Sequence, residues 1–248
     1  MELTRIINLL LIAIVIICTW QGYKKGIIMG IIQVLVIILS LYGAQLLSDT
    51  FSYEVIPVLR PFVSGYMETQ VEHTTYDVFG YEPVDDDGNY NVPYSIADML
   101  DSAPENADEI AVKSFQKLGL YDEIAQTLGD RTLQLADTSN VSLVSSAVTV
   151  LCQSITWYLG FLLFFFILFS LLTVIVNIPN LSFRLPYVGI VNDIGGAFIG
   201  VAVGFMFCSL LVWIVQFAGL VLPEETLRAT GVAAYFMDQN FLGNYITF

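Results

Sequence analysis

The sequence predicts an all-α integral membrane protein: four transmembrane helices in two hairpins, with a mostly helical acidic domain inserted between them. Three observations carry that expectation. Of the 248 residues, 56% are hydrophobic and 13% charged, about half the ~25% charge of an average soluble domain. The apolar residues are gathered into long runs. The net charge of −14 is confined to one segment. Between Asp49 and Val141 there are 18 Asp and Glu against four basic residues, whereas the rest of the chain holds five acids and five bases. That balance also argues against a basic nucleic-acid-binding surface, and no nucleic-acid partner is expected.

The first hairpin occupies 1–48, with spans at Ile6–Trp20 and Gly26–Leu47. The second occupies 142–221, with spans at about Ala147–Val176 and Ile194–Val221. Roughly 20 apolar residues cross a hydrocarbon core, and the last three runs contain no Asp, Glu, Lys, Arg or His. The first run is shorter and reaches back to Leu3 if Arg5 snorkels. A cleaved signal peptide is the competing reading of that run. No Ala-x-Ala-like site follows Trp20, a second span begins almost at once, and Ile17 before Cys18 suits no lipoprotein cleavage. An uncleaved span is therefore expected.

Lys24 and Lys25 lie between the first two spans and Arg184 between the last two. Short basic loops stay in the cytoplasm, so both hairpin turns are expected on the cytoplasmic side of the bacterial cytoplasmic membrane. The acidic domain (49–141) and both termini are then extracytoplasmic. Arg5 and Arg228 on the other side make the margin narrow. The acidic domain has no cysteine, because Cys18, Cys152 and Cys208 all fall in spans; disulfides cannot hold it together.

Each hairpin carries a glycine triple with four-residue spacing. Gly22, Gly26 and Gly30 surround the first turn, and Gly196, Gly200 and Gly204 open the fourth span. Glycines four apart line one helix face and let two backbones approach, where lipid provides no hydrophobic force between helices. Each triple is expected to pack its returning helix within its own hairpin, as parallel repeats, or else to form an oligomer interface.

Gly22-Tyr23-Lys24-Lys25-Gly26 and Asn192-Asp193-Ile194-Gly195-Gly196 with Gly200 resemble the two signatures of the colicin V production (CvpA) family of bacterial membrane proteins. The likeness covers roughly Ile6–Leu47 and Tyr158–Phe217. It implies a role in peptide-toxin production or export, a toxin biosynthetic process, and in envelope maintenance. Two departures stand out. Asp193 is acidic where the family pattern has a basic residue, and the acidic insert is long, which suggests a branch with its own external partner.

Within the acidic segment, Ser95–Leu100, Ala107–Leu120 and Asp122–Leu135 show apolar residues at helical spacing. Ile110, Phe115 and Leu118 share one stripe; Ile124, Leu128 and Leu133 share another. A small solvated helical cap is expected, with a sensor or binding role as the sharper reading. The run from Asp85 to Asn91 tests as a calcium loop and fails: Tyr90 stands where glycine is needed and Ile96 where a bidentate Glu is needed. Asp87-Gly88 reads better as a hairpin turn, with a surface calcium site as the lesser alternative. In the tail (222–248), Pro223, Glu224 and Glu225 suit a helix start. Tyr235, Phe236, Phe241, Tyr245 and Phe248 suggest a segment lying at the interface or docked on the external domain.

Catalytic chemistry is not evident. His73 is the only histidine, Ser64-Gly65 has no plausible base, and no serine-hydrolase, zinc-protease, phosphate-loop or Cys/His metal pattern occurs. Neither enzyme activity nor a cofactor or metal is expected. The polar residues of the spans (Asn8, Gln33, Ser40, Gln45, Gln153, Ser154, Thr156, Ser170, Thr173 and Gln216) are explained by hydrogen bonds between helices. They also leave a channel or transporter subunit as the second reading. The expected function is that of a non-enzymatic membrane accessory or scaffold protein. Its partners would be the lipid bilayer and either a second copy of the chain or other membrane proteins.

Overall fold

The computed structural model describes residues 2–83, 90–177, 189–217 and 222–239. Among these, all regular structure is helical: α1 (Glu2–Val78), α2 (Ile96–Ser102), a 3-10 turn (Pro104–Asn106), α3 (Ala107–Lys117), α4 (Asp122–Ser139), α5 (Leu143–Asn177), α6 (Gly189–Gln216), α7 (Glu224–Arg228) and α8 (Gly231–Gln239). Three of the helices, α1, α5 and α6, are long and apolar enough to cross a membrane, which is compatible with a multi-pass membrane protein. Arg184, the Asp85–Asn89 turn and the tail aromatics Phe241, Tyr245 and Phe248 lie outside the described residues.

The helix that carries the apolar run Gly26–Leu47 extends well beyond it. α1 continues to Val78 through Pro57 and Pro61, and its one non-helical position is Gly26, with φ 78° and ψ 177°. Each proline lacks the N–H that would bond back one turn, a cost of ~3 kcal/mol in a helix interior. Both sit on an exposed face, where water can serve the freed carbonyls. At its end the helix is closed by Gly80 (φ 80°), and Tyr81 N–H bonds the Tyr76 carbonyl at 2.9 Å. That is the six-to-one bond of a glycine-terminated helix.

The chain forms two compact units, and α1 and α5 contribute to both. The first comprises Met1–Thr50, Tyr158–Gln216 and Leu222–Phe248. Its interior holds Leu11, Ile37, Ser40, Ala44, Phe161, Phe165, Cys208 and Trp213. Aromatic rings join α5 to α6, Phe161 against Trp213 at 5.3 Å and Phe169 against Phe207 at 5.6 Å. Tyr158 donates its hydroxyl to the Ile214 carbonyl. The outward faces are just as apolar: Leu9 is 71% exposed and Phe198 74%. A soluble protein would bury such rows.

α8 buries Ala233, Phe236 and Met237. Phe236 packs on Phe205 at 5.4 Å, and Val232 N–H donates to Asn8 Oδ1 at 3.2 Å. The described part of the tail is thus packed onto α6 and the start of α1. Ahead of it, Pro223 precedes α7, and Arg228 pairs with Glu224 at 2.6 Å.

The second unit comprises Phe51–Trp157 and Phe217–Val221. The amphipathic stripes form its core: Ile110, Phe115, Leu118, Ile124 and Leu128 are buried with Met67 and Val71 of α1, while Leu133 is half-buried. Ser95 caps α2, accepting the Asp98 N–H at 3.2 Å. α3 and α4 meet closely at Gly129, where a Cβ would lie 3.2 Å from the Val112 nitrogen. Lys117 of α3 bonds the Asp77 carboxylate at the end of α1, and Tyr90 donates its hydroxyl to the same group. Burial works against ionisation of Asp77. The hydrogen bonds from Lys117 and Tyr90, with the nearby charges of Lys117 and His73, outweigh it and hold the carboxyl below its ordinary range.

A carboxylate whose pKa is depressed by folding stabilises the native state above the unfolded value of about 3.9 and loses that contribution as pH falls through the folded value. Asp77 is 43% exposed, so the effect is modest. Lys117→Met is expected to lower the melting temperature of the full chain at pH 7. The deficit should shrink as the pH is lowered through about 4. A deficit unchanged by pH would show that the lysine acts through its methylenes alone.

Candidate functional site: a glycine-lined helix clasp

The site is built from the two glycine triples, and their arrangement corrects the sequence-based reading. The triples do not pack separately inside their own hairpins; they meet each other. A Cβ on Gly22 would collide with the Gly196 carbonyl oxygen and lie 2.8 Å from the Gly200 Cα. A Cβ on Gly196 would collide with the Gly22 carbonyl oxygen and lie 2.8 Å from the Gly26 Cα. One on Gly200 would lie 2.5 Å from the Cys18 carbonyl oxygen, and one on Gly204 would lie 2.9 Å from the Val15 Cα. Backbone therefore touches backbone from Gly196 to Gly204, a little over two turns of α6, closer than any side chain allows.

The stripe extends at both ends. Asn192, Gly196, Gly200, Gly204 and Cys208 recur every four residues on one face of α6, and all are buried. Cys208 Sγ donates to the Leu11 carbonyl at 3.5 Å. At the other end, Asn192 Oδ1 accepts the Ile27 N–H at 3.1 Å. Gly26 explains that bond. Its φ/ψ combination is essentially restricted to glycine and interrupts the helical ladder, so the next turn begins with N–H groups that lack intrahelical acceptors. The Asn192 amide fills the space a Gly26 side chain would take and supplies one acceptor.

The order of contacts changes at this break. From Leu11 to Gly22, α1 meets α6 in antiparallel sequence: Leu11 with Cys208, Val15 with Gly204, Cys18 with Gly200, Gly22 with Gly196. Beyond it, Ile27 packs at Gly195 and Gly30 at Ile199, which is a parallel sequence.

Lys24 holds its ammonium 4.9 Å from the Trp20 ring centre, and Lys25 donates to Gln33 Oε1 at 3.4 Å. Sequence reasoning missed the role of Asn192, although its position one turn before Gly196 on the glycine face was a readable signal. It also assigned the span hydroxyls to bonds between helices. Ser40, Ser154 and Thr156 instead donate to the carbonyls of Val36, Val150 and Cys152 in their own helices, as helical Ser and Thr often do. His73 meets the Tyr90 ring at a tilt, 5.2 Å between centres, in the second unit. Among the described residues no three His, Cys, Asp or Glu side chains converge to hold a metal ion.

Gly196→Ala and Gly200→Ala are expected to destabilise the protein by at least the ~1–3 kcal/mol typical of overpacking, read as a lower melting temperature in mild detergent. Gly26→Ala adds ~1–3 kcal/mol of backbone strain. Gly65→Ala, a helical position with open space around it, should be neutral or stabilising by up to about 1 kcal/mol. Equal effects at Gly65 and Gly196 would remove the clasp.

The chain matches no protein-family model, no curated protein and no solved structure.

Proposed function

We propose that the chain is a four-span membrane protein whose two helical hairpins are clasped through their glycines, and that it is a non-enzymatic accessory or scaffold for other membrane components. The single observation that carries this is the exchange of packing direction at Gly26. A helix that only bends keeps its order along a neighbour; a chain that reverses meets the same neighbour first antiparallel and then parallel, as residues 11–22 and 27–30 meet α6. The first hairpin then turns at Gly26.

Trp20 and Tyr23, 60% and 46% exposed, together with Lys24 and Lys25, suit the membrane–water interface at that turn. On this reading the lysine-bearing turn faces the cytoplasm, and the acidic unit and both termini face outward. The resemblance to the CvpA family supplies the setting: colicin V-type toxin production or export and envelope maintenance, in a bacterial cytoplasmic membrane. A scaffold needs a surface to offer. Val58, Phe62 and Tyr66 stand four apart on α1, exposed by 66%, 82% and 55%, and large exposed apolar rows mark contact with partners.

Topology is tested by single cysteines in a cysteine-free background. Leu3→Cys and Tyr53→Cys should react with an impermeant maleimide from one side of the membrane, and Lys24→Cys only from the other. Labelling of residues 3 and 53 from opposite sides would overturn the four-span reading. For function, crosslinking in intact cells should capture a membrane protein that stays bound in mild detergent, with solute flux in reconstituted liposomes at background. Flux above empty vesicles with no captured partner would establish the channel or transporter instead.

A further inference from the structure

A shallow furrow lies between α1 and α5 in the first unit, open along one side. Met29 and Val176 form apolar walls, while Lys25, Gln33, Thr173 and Asn177 supply polar groups. The polarity is mostly of one kind. Lys25 donates to Gln33 Oε1 at 3.4 Å, a long bond to a neutral acceptor, and among the described residues no carboxylate pairs with it. Asn177 donates one amide hydrogen to the Thr173 carbonyl at 2.7 Å and keeps another. Gln33 has its oxygen engaged by the lysine and retains two N–H donors. It lies seven residues beyond Gly26, roughly 10 Å along the helix, inside the apolar run. The furrow therefore joins an unneutralised cation and spare donors at its mouth to a greasy floor.

We propose that this furrow binds an anionic phospholipid, with phosphate oxygens at Lys25 and Asn177 and the start of one acyl chain along Met29 and Val176. An anionic amphiphile satisfies both halves of the surface. A free phosphate leaves the apolar walls unused, and a zwitterionic lipid brings its own cation to Lys25. The furrow is shallow and open, so the lipid lies along it with the remainder of its chains in the bilayer. The proposal rests on α1 and α5 being membrane helices, as proposed above.

The test is thermal melting of the full chain, purified and delipidated in a neutral detergent. Dioleoylphosphatidylglycerol, dioleoylphosphatidylcholine or inorganic phosphate is then titrated in. Phosphatidylglycerol should raise the melting temperature at a roughly fivefold lower concentration than phosphatidylcholine, the attraction of one lysine for an anionic lipid. Inorganic phosphate should give little shift. Lys25→Gln should abolish the preference, Asn177→Leu should weaken the response to both lipids, and Lys24→Gln, one residue away but outside the furrow, should change neither. If Lys25→Gln fails to fold, Asn177→Leu and the wild-type titrations decide.

Equal response to the two lipids would overturn the proposal. So would a full response to inorganic phosphate, or an equal loss in Lys24→Gln, which would make the effect one of the whole basic turn. Extraction of the protein from membranes without detergent would instead refute the membrane reading itself.

Discussion

Everything in the first unit depends on backbone meeting backbone at Gly22 and Gly196. The space a Cβ would need on either residue is taken by the other's carbonyl oxygen, so the two positions must be glycine together. Between apolar helices, close packing yields dispersion contact and weak Cα–H···O attraction rather than hydrophobic gain. The register follows from that one meeting. With Gly196 on Gly22, a four-residue step along α6 brings Gly200 to Cys18, Gly204 to Val15 and Cys208 to Leu11. A step the other way brings Asn192 to the break at Gly26.

The break has its own energetic demand. A buried backbone N–H left unsatisfied costs about 1–3 kcal/mol, and an interrupted helix exposes such groups at the start of its next turn. Asn192 answers this because it is short and neutral and presents a carbonyl oxygen without a charge to desolvate. An aspartate there would accept the same bond at the cost of burying an ion. The neighbouring Asp193, one position round the helix, is off the contact face. A neutral polar residue lies on the seam and the acidic one off it, as the cost of burying a charge requires.

The sequence made legible what composition and spacing encode. Long uncharged runs foretold the apolar helices, and the stripes through Phe115 and Leu128 foretold the buried residues of α3 and α4. Ser95 and Pro223 marked real helix starts. What spacing does not encode is the neighbour. Gly22, Gly26 and Gly30 announce a face, but nothing along the chain says that Gly196 rather than the returning helix lies against it. The same gap hid the length of α1. Asp49, Pro57 and Pro61 look like the end of a helix when read locally. Met67 and Val71, buried with the α3 and α4 stripes, continue it because tertiary burial outweighs local propensity.

The second unit shows how a strongly acidic chain folds without disulfides. Its carboxylates repel one another, and its few cations are spent where they act on structure. Lys113 pairs with Glu109 within α3, which adds a few tenths of a kcal/mol at most. Arg60 reaches across to Ser145 at 2.8 Å, and Lys117 joins α3 to the end of α1. The last two connect elements far apart in sequence, so each forms against a larger loop-closure entropy than a local pair does. Tyr90 and Tyr76 crowd the same corner, their rings 5.0 Å apart. Burial and the Glu72 hydrogen bond raise the Tyr76 hydroxyl to about 12, and the hydrogen bond to Asp77 raises that of Tyr90 to about 12. Both therefore stay neutral donors at any physiological pH, adding acceptor satisfaction to the acidic cluster without adding charge. Phenols do here what further lysines would do at the cost of more side-chain entropy.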